Sequence, residues 1–143
     1  MLIGEYRHTV DDKGRLFVPA RLREELGEPL IVTRGLDQCL FVFPMPEWRN
    51  LEAKLRALPL AQSSARAFVR FLLSGATECT PDRQGRVLLP QPLREYAGIT
   101  REAVLIGVGN RVEIWSGERW ARYVEEAAQS YSQIAEQIVD LGI

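Results

Sequence analysis

One stretch of this chain occurs twice, and the repeat limits the folds open to it. Residues Gly4–Gly27 can be laid without a gap over Gly75–Gly98, and ten of the 24 positions are identical. The matches are Gly4/Gly75, Thr9/Thr80, Asp11/Asp82, Gly14/Gly85, Arg15/Arg86, Pro19/Pro90, Leu22/Leu93, Arg23/Arg94, Glu24/Glu95 and Gly27/Gly98. Ordinary composition would give about one or two. A duplicated unit of this kind has to be recognised before any single element is assigned.

Each copy reads as strand, tight turn, strand and short helix. Asp11 closes a strand, and Gly14 supplies the positive φ that a tight connection needs. Arg15-Leu-Phe-Val is the second strand. Pro19 stops it and is pre-set for the first turn of a helix, which Gly27 ends. Gly85, Pro90 and Gly98 repeat these steps. The pattern predicts a hairpin from 5–10 and 15–18 with a helix at 19–26, and strands near 76–80 and 86–89 with a helix at 90–97.

Asp-x-x-x-Arg recurs as Asp11 with Arg15 and Asp82 with Arg86. One reading is structural, with Asp bonding the turn backbone or pairing with Arg across it. The other places the arginines on an exposed face, against phosphates or base edges. Four basic residues and no acid lie between Lys13 and Arg23, and three and no acid between Arg83 and Arg94. Two matching basic patches point to a partner with repeated negative charge, with Lys13, Arg15, Arg83 and Arg86 as candidate DNA contacts. Asp11, Gly14, Pro19, Asp82, Gly85 and Pro90 form the structural frame.

Both Asp-x-x-x-Arg motifs followed by Pro, the Gly-Glu-Tyr start and the total length resemble the MraZ proteins over essentially the whole chain. The resemblance implies an α+β fold of tandem AbrB-like swapped-hairpin repeats, intertwined as a pseudo-dimer with a β-barrel-like core and flanking helices. It places the family's arginines on Arg15 and Arg86. It further implies a sequence-specific DNA-binding transcriptional regulator of promoter direct repeats, repressing the division and cell-wall gene cluster that includes its own gene. A homo-oligomer, ring-shaped or similar and associated with the nucleoid, belongs to the same expectation. The second copy is less basic, with Gln84 for Lys13 and Pro92 for Arg21.

At 143 residues the chain is one domain's worth. A single repeat of about 60–70 residues would bury too little surface alone, so two sharing one core fit better than separate beads. The expected organisation is a first repeat at 4–60, a connecting helix at 61–74, a second repeat at 75–120 and a C-terminal helix at 116–143. The net charge of −1 argues mildly against nucleic acid. Local charge decides, however, and Glu118, Glu125, Glu126 and Glu136 crowd the last helix and mask the basic patches in the sum.

Leu30–Thr33 and Cys39–Phe43 read as a buried second hairpin, stopped by Pro44 and Pro46. Trp48, Leu51, Leu55 and Leu58 mark an amphipathic helix at about 46–57. After Pro59, a serine of Gln62-Ser63-Ser64 is expected to cap a helix with Ala65, Phe68, Phe71 and Leu72 on one face. Val104–Val108 and Val112–Trp115 repeat the second hairpin around Gly109-Asn110. Glu113 in place of Phe41 implies that this strand exposes alternate positions. The last helix is expected from Ser116 as N-cap to about Val139. Its stripe is Trp120, Val124, Ala127, Tyr131, Ile134 and Ile138, set either against the core or at a protomer interface.

Catalytic sets are missing. His8 is the only histidine, and with Cys39 and Cys79 far apart no zinc-ligand set can be assembled. No Gly-x-Ser-x-Gly, P-loop or Cys-His pair occurs, and Gly107-Val-Gly-Asn joins two strands without a third glycine. No enzyme activity, metal or cofactor is expected. The rival to DNA binding is an AbrB-like protein-interaction module or antitoxin-type scaffold. Such scaffolds usually add a disordered tail, whereas this C-terminus reads as an ordered helix. The N-terminus lacks a basic flank and a long apolar run, and no stretch approaches the ~18 apolar residues of a membrane span. A soluble cytoplasmic protein with reduced thiols is expected.

Overall fold

The computed structural model describes residues 1–143 and contains five helices and eight strands, an α+β fold whose strand pairs are all antiparallel. The first half supplies β1 (Leu2–Thr9), β2 (Arg15–Phe17), α1 (Ala20–Leu26), β3 (Leu30–Arg34), β4 (Leu40–Pro44) and α2 (Met45–Arg56). Helix α3 (Ser63–Ser74) leads into β5 (Thr77–Cys79), β6 (Arg86–Leu88), α4 (Gln91–Ala97), β7 (Glu102–Gly109), β8 (Val112–Ser116) and α5 (Gly117–Gln137). Six strands form one sheet in the order β1-β7-β8-β4-β3-β5, and β2 and β6 form a separate two-stranded ribbon.

The pairing departs from the local hairpins predicted at the two repeats. Strand β1 pairs with β7 and β2 with β6, while β5 pairs with β3. Only β3–β4 and β7–β8 are hairpins within one half. The reason lies in burial. Pairing β2 with β6 sets Leu16 opposite Val87, both buried, over a core that also holds Leu22, Leu30, Leu89 and Leu93. Two three-residue strands from different halves thereby close one core, which either alone is too short to cover.

Pro19 and Pro90 sit one position earlier than predicted, at the N-caps of α1 and α4, and a glycine follows each helix. At α3 the N-cap is Gln62 and no side chain caps the helix, so the expected serine cap is absent. Helix α3 is held at its C-terminal end instead. The Thr33 hydroxyl donates to the Leu72 carbonyl at 2.5 Å, and Arg34 Nη1 donates to the Phe71 carbonyl at 2.8 Å. Of its apolar face only Leu72 is buried, and Phe68 and Phe71 stay exposed. Ser116 does cap α5, accepting from the Arg119 backbone N–H at 3.0 Å.

Strand β8 is buried along its whole length, so Glu113 is not an exposed alternate. Its carboxylate accepts two bonds from Arg111, at 2.8 and 3.1 Å, and one from Trp115 Nε1 at 3.1 Å. A buried carboxylate so paired is tolerated. Cys39 and Cys79 are free and buried, and burial pushes both thiols up. No helix is long and apolar enough to cross a membrane.

Candidate nucleic-acid interface

The two repeated turns fold bond for bond alike. In the first, the Asp11 N–H donates to the Arg15 carbonyl at 3.0 Å, and the Gly14 N–H donates to the Asp11 carbonyl at 3.0 Å. The Asp11 carboxylate accepts from the Lys13 N–H at 3.0 Å, the Arg15 N–H at 2.8 Å and Arg15 Nε at 2.8 Å. In the second, Asp82 accepts from the Gln84 N–H, the Arg86 N–H and Arg86 Nε, each at 2.9 Å. The fixed spacing of Asp-x-x-x-Arg is what lets one carboxylate close the turn and still reach the guanidinium. Both carboxyls are held below their ordinary value of 3.8, above all by the N–H of the arginine four residues on.

Each turn is also pinned by the other half. The Val18 N–H donates to the Gly85 carbonyl at 2.9 Å, and the Leu89 N–H to the Gly14 carbonyl at 2.8 Å. Arg23 Nε donates to the Val18 carbonyl at 2.7 Å while its guanidinium packs on Gly85, and Arg94 does the same with Leu89 and Gly14. A Cβ at Gly85 would stand 2.8 Å from Arg23, and one at Gly14 would stand 3.0 Å from Arg94. With φ of +79° at Gly85 and +86° at Gly14, a side chain at either position would be strained and would also make the arginine shift. The roles of Arg23 and Arg94 escaped the sequence reading, although both are among the ten repeated identities. A repeated arginine five residues after the strand residue it bonds was the available signal.

Strand alternation then sorts the ribbon into two faces. Leu16 and Val87 point into the core, while Arg15, Phe17, Arg86 and Leu88 lie on the other face. Arg15 and Arg86 are half-buried, less open than the exposed face expected from the sequence, because their Nε edges are tied to aspartate. No protein acceptor takes the Nη groups of Arg15, and Arg86 Nη1 lies 3.8 Å from Asp11. Lys13 and Arg83 are exposed on the two turns. The ribbon and its two turns therefore bring Arg15 and Arg86, 71 residues apart in the chain, onto one element together with Lys13 and Arg83. His8 packs edge-on against Phe17 at 5.0 Å, beside the ribbon.

The site is thus a short β-ribbon with an apolar core face and, on the other face, Arg15 and Arg86. The family model described as "MraZ protein, putative antitoxin-like" matches residues 1–71 and again 72–141. The chain is 62% identical over 143 residues to the transcriptional regulator MraZ of Desulfitobacterium hafniense (strain DSM 10664 / DCB-2), covering all of both chains. The proteins of that name from Moorella thermoacetica and Heliobacterium modesticaldum are 58% and 57% identical, again over the full length of both chains. The chain belongs to the MraZ family, a family of transcriptional regulators and not of enzymes.

Proposed function

We propose that this regulator reads double-stranded DNA in a sequence-specific manner with the β2–β6 ribbon. The observation that carries the reading is the outward face of that ribbon, where Arg15 and Arg86 stand on paired strands flanked by Lys13 and Arg83. The major groove admits a two-stranded ribbon, and a guanidinium can fork onto guanine O6 and N7 or onto a phosphate. Asp11 and Asp82 hold each Nε edge, which presets the guanidinium plane and lowers the ordering cost of contact. The crossed strand pairing supports reading the chain as an AbrB-like swapped-hairpin pseudo-dimer. In that reading its repeats are 4–60 and 75–120, joined by 61–74, with the sheet and ribbon as a barrel-like core and 116–143 as the terminal helix.

The targets are promoter direct repeats of the division and cell-wall gene cluster, its own gene included, and the outcome is repression by a cytoplasmic, nucleoid-associated homo-oligomer, ring-shaped or similar. Protomers side by side raise the effective concentration at neighbouring sites, with gains of about 10²–10⁴. Fluorescence anisotropy on promoter direct-repeat and scrambled duplexes at several salt concentrations tests the DNA contacts. Arg15→Ala should keep the wild-type melt and lose about 1–3 kcal/mol per specific contact. Operator affinity equal to wild type would remove the ribbon as the reading surface. Tight capture of one protein partner by a chain with no DNA affinity would favour the antitoxin-type scaffold instead.

A further inference from the structure

The outward face of the ribbon carries apolar residues as well as arginines. Arg15 stands directly opposite Leu88 in the β2–β6 pairing, and Phe17 opposite Arg86. Each half thus offers one arginine and one apolar side chain on this face, but the fold treats the two apolar members differently. Phe17 is covered. The His8 ring packs edge-on against it at 5.0 Å, and the Arg23 guanidinium lies 5.6 Å from its ring centroid. Leu88 occupies the matching place 71 residues later and is 57% exposed, the most open of the four residues on that face. The residue that matches His8 is Cys79, which is short and buried. Its thiol donates to the Leu88 carbonyl at 3.8 Å and leaves the leucine side chain bare.

A single exposed leucine needs no explanation by itself, since apolar atoms make up much of any protein surface. The register is what gives Leu88 a meaning. Side chains directly opposed on paired strands have Cβ atoms about 4.5–5.5 Å apart. Bases are stacked about 3.4 Å apart along a strand of DNA. When Arg15 forks onto a base edge, Leu88 comes to rest over the next base pair or the one after. Among the groups that the major groove displays, only the C5-methyl of thymine is apolar. A cytosine at the same place would set its N4 amine against the leucine with no acceptor.

We propose that Leu88 determines specificity by covering the C5-methyl of a thymine one or two base pairs from the one that Arg15 contacts. This role of Leu88 rests on the reading of the ribbon as the DNA-contacting element and deepens it. It also makes the two ends of the ribbon unequal. The Arg15–Leu88 end reads a base and a neighbouring methyl. The Arg86–Phe17 end has its apolar group already covered by His8 and Arg23, and reads through the arginine alone. An unequal ribbon sits on DNA in one orientation only, as binding to direct repeats requires.

Fluorescence anisotropy of the full chain on two duplexes tests this. One carries the promoter direct repeats, and the other is the same sequence with every thymine replaced by deoxyuracil, which removes the C5-methyl and nothing else. A covered methyl is worth about fourfold in affinity per contact. Wild type should bind the uracil duplex more weakly by about that factor for each repeat engaged. Leu88→Ala should lose a like factor on the thymine duplex and show no preference between the two. Leu88→Met, which keeps the apolar reach, should restore the preference. Leu88 is exposed, so both variants should keep the wild-type melt by circular dichroism. The uracil comparison uses wild-type protein, so it holds whatever the variants do. Equal binding of both duplexes by wild type overturns the proposal. So does a Leu88→Ala protein that keeps the full methyl preference, because another group then reads the methyl. Arg15→Ala separates the two levels. If it loses operator binding while wild type ignores the methyl, the ribbon reads DNA and Leu88 does not. If it binds as wild type does, the ribbon reading falls and the role of Leu88 falls with it.

Discussion

The repeated turns and the far ends of the two halves are under different physical constraints. The turns match in every hydrogen bond, and each depends on an arginine, a backbone N–H and a strand from the other half. A change in one turn is felt in its counterpart. The far ends also meet, but they differ. Phe41 on β4 stands opposite Glu113 on β8 at matching places in the repeat. Arg111 lies over the Phe41 ring at 4.5 Å and also pairs with Glu113. Where α2 has 12 residues, α5 has 21. Elements that must interlock with their own copy stay alike. Those that pair through a backbone ladder, as β4 and β8 do, accept unlike side chains and can specialise.

The sharpest break of this comparison is to separate the halves. Residues 1–62 retain β3–β4 but lose β7 as the partner of β1 and β6 as the partner of β2. Val87, Leu89 and Leu93 leave the core that Leu16, Leu22 and Leu30 share with them. A fragment of that size with half a core falls below the limit of independent stability. It should show no cooperative melt and poor amide dispersion by NMR. A dispersed spectrum with a sharp melt would mean that the halves fold as separate beads.

A smaller effect distinguishes interlocking from mere likeness. Arg23→Ala removes a bond to the Val18 carbonyl and the packing on Gly85, so the turn it loosens is the one around Gly85, 62 residues away. A hydrogen bond from a charged donor is worth about 1.5–3 kcal/mol, and a loss of that size is expected in chemical denaturation. Hydrogen exchange should quicken at Gln84–Arg86 for Arg23→Ala and at Lys13–Arg15 for Arg94→Ala. Faster exchange confined to each arginine's own half would contradict the crossed pinning.

How much of this was legible follows from the same contrast. The repeat placed the turns, because glycine, proline and Asp-x-x-x-Arg act locally. The runs Leu30–Thr33 and Cys39–Phe43 announced their hairpin for the same reason, with β-branched and aromatic residues bounded by breakers. Partner choice was not legible from the pattern. A duplicated strand has two equally suitable mates by construction, and alternation fits β2 against either copy. Glu113 misled because a lone acid in a strand reads as solvent-facing. Its two neighbours at i−2 and i+2, Arg111 and Trp115, were the donors that permit burial. Phe68 and Phe71 share a face with Leu72 by spacing, yet α3 is fixed through carbonyls at its end and leaves both exposed. At the candidate site, the Asp–Arg spacing gave the turn chemistry, while the ribbon that joins Arg15 to Arg86 existed only in the tertiary fold.

The smallest expected effect compares the two aspartates directly. Hydrogen bonds from the turn hold both carboxyls below 3.8, so each is more acidic folded than unfolded. A depressed carboxyl stabilises the fold at pH values above its unfolded pKa, and that contribution is lost as pH falls through the folded pKa. Neutral pH therefore retains both contributions in full, and the loss begins only below the ordinary carboxylate range of about 4. Denaturation midpoints taken from pH 7 down to pH 2 should fall at the acid end for wild type. Asp11→Asn and Asp82→Asn should each be less stable at pH 7 and show a shallower acid limb, and the double variant the shallowest. The turns are alike except that Asp11 also faces Arg86 Nη1 at 3.8 Å, so Asp11→Asn should flatten the limb slightly more than Asp82→Asn. Equal acid limbs in wild type and double variant would show that the turns hold their shape through the backbone alone. The aspartates would then serve only to aim the arginines.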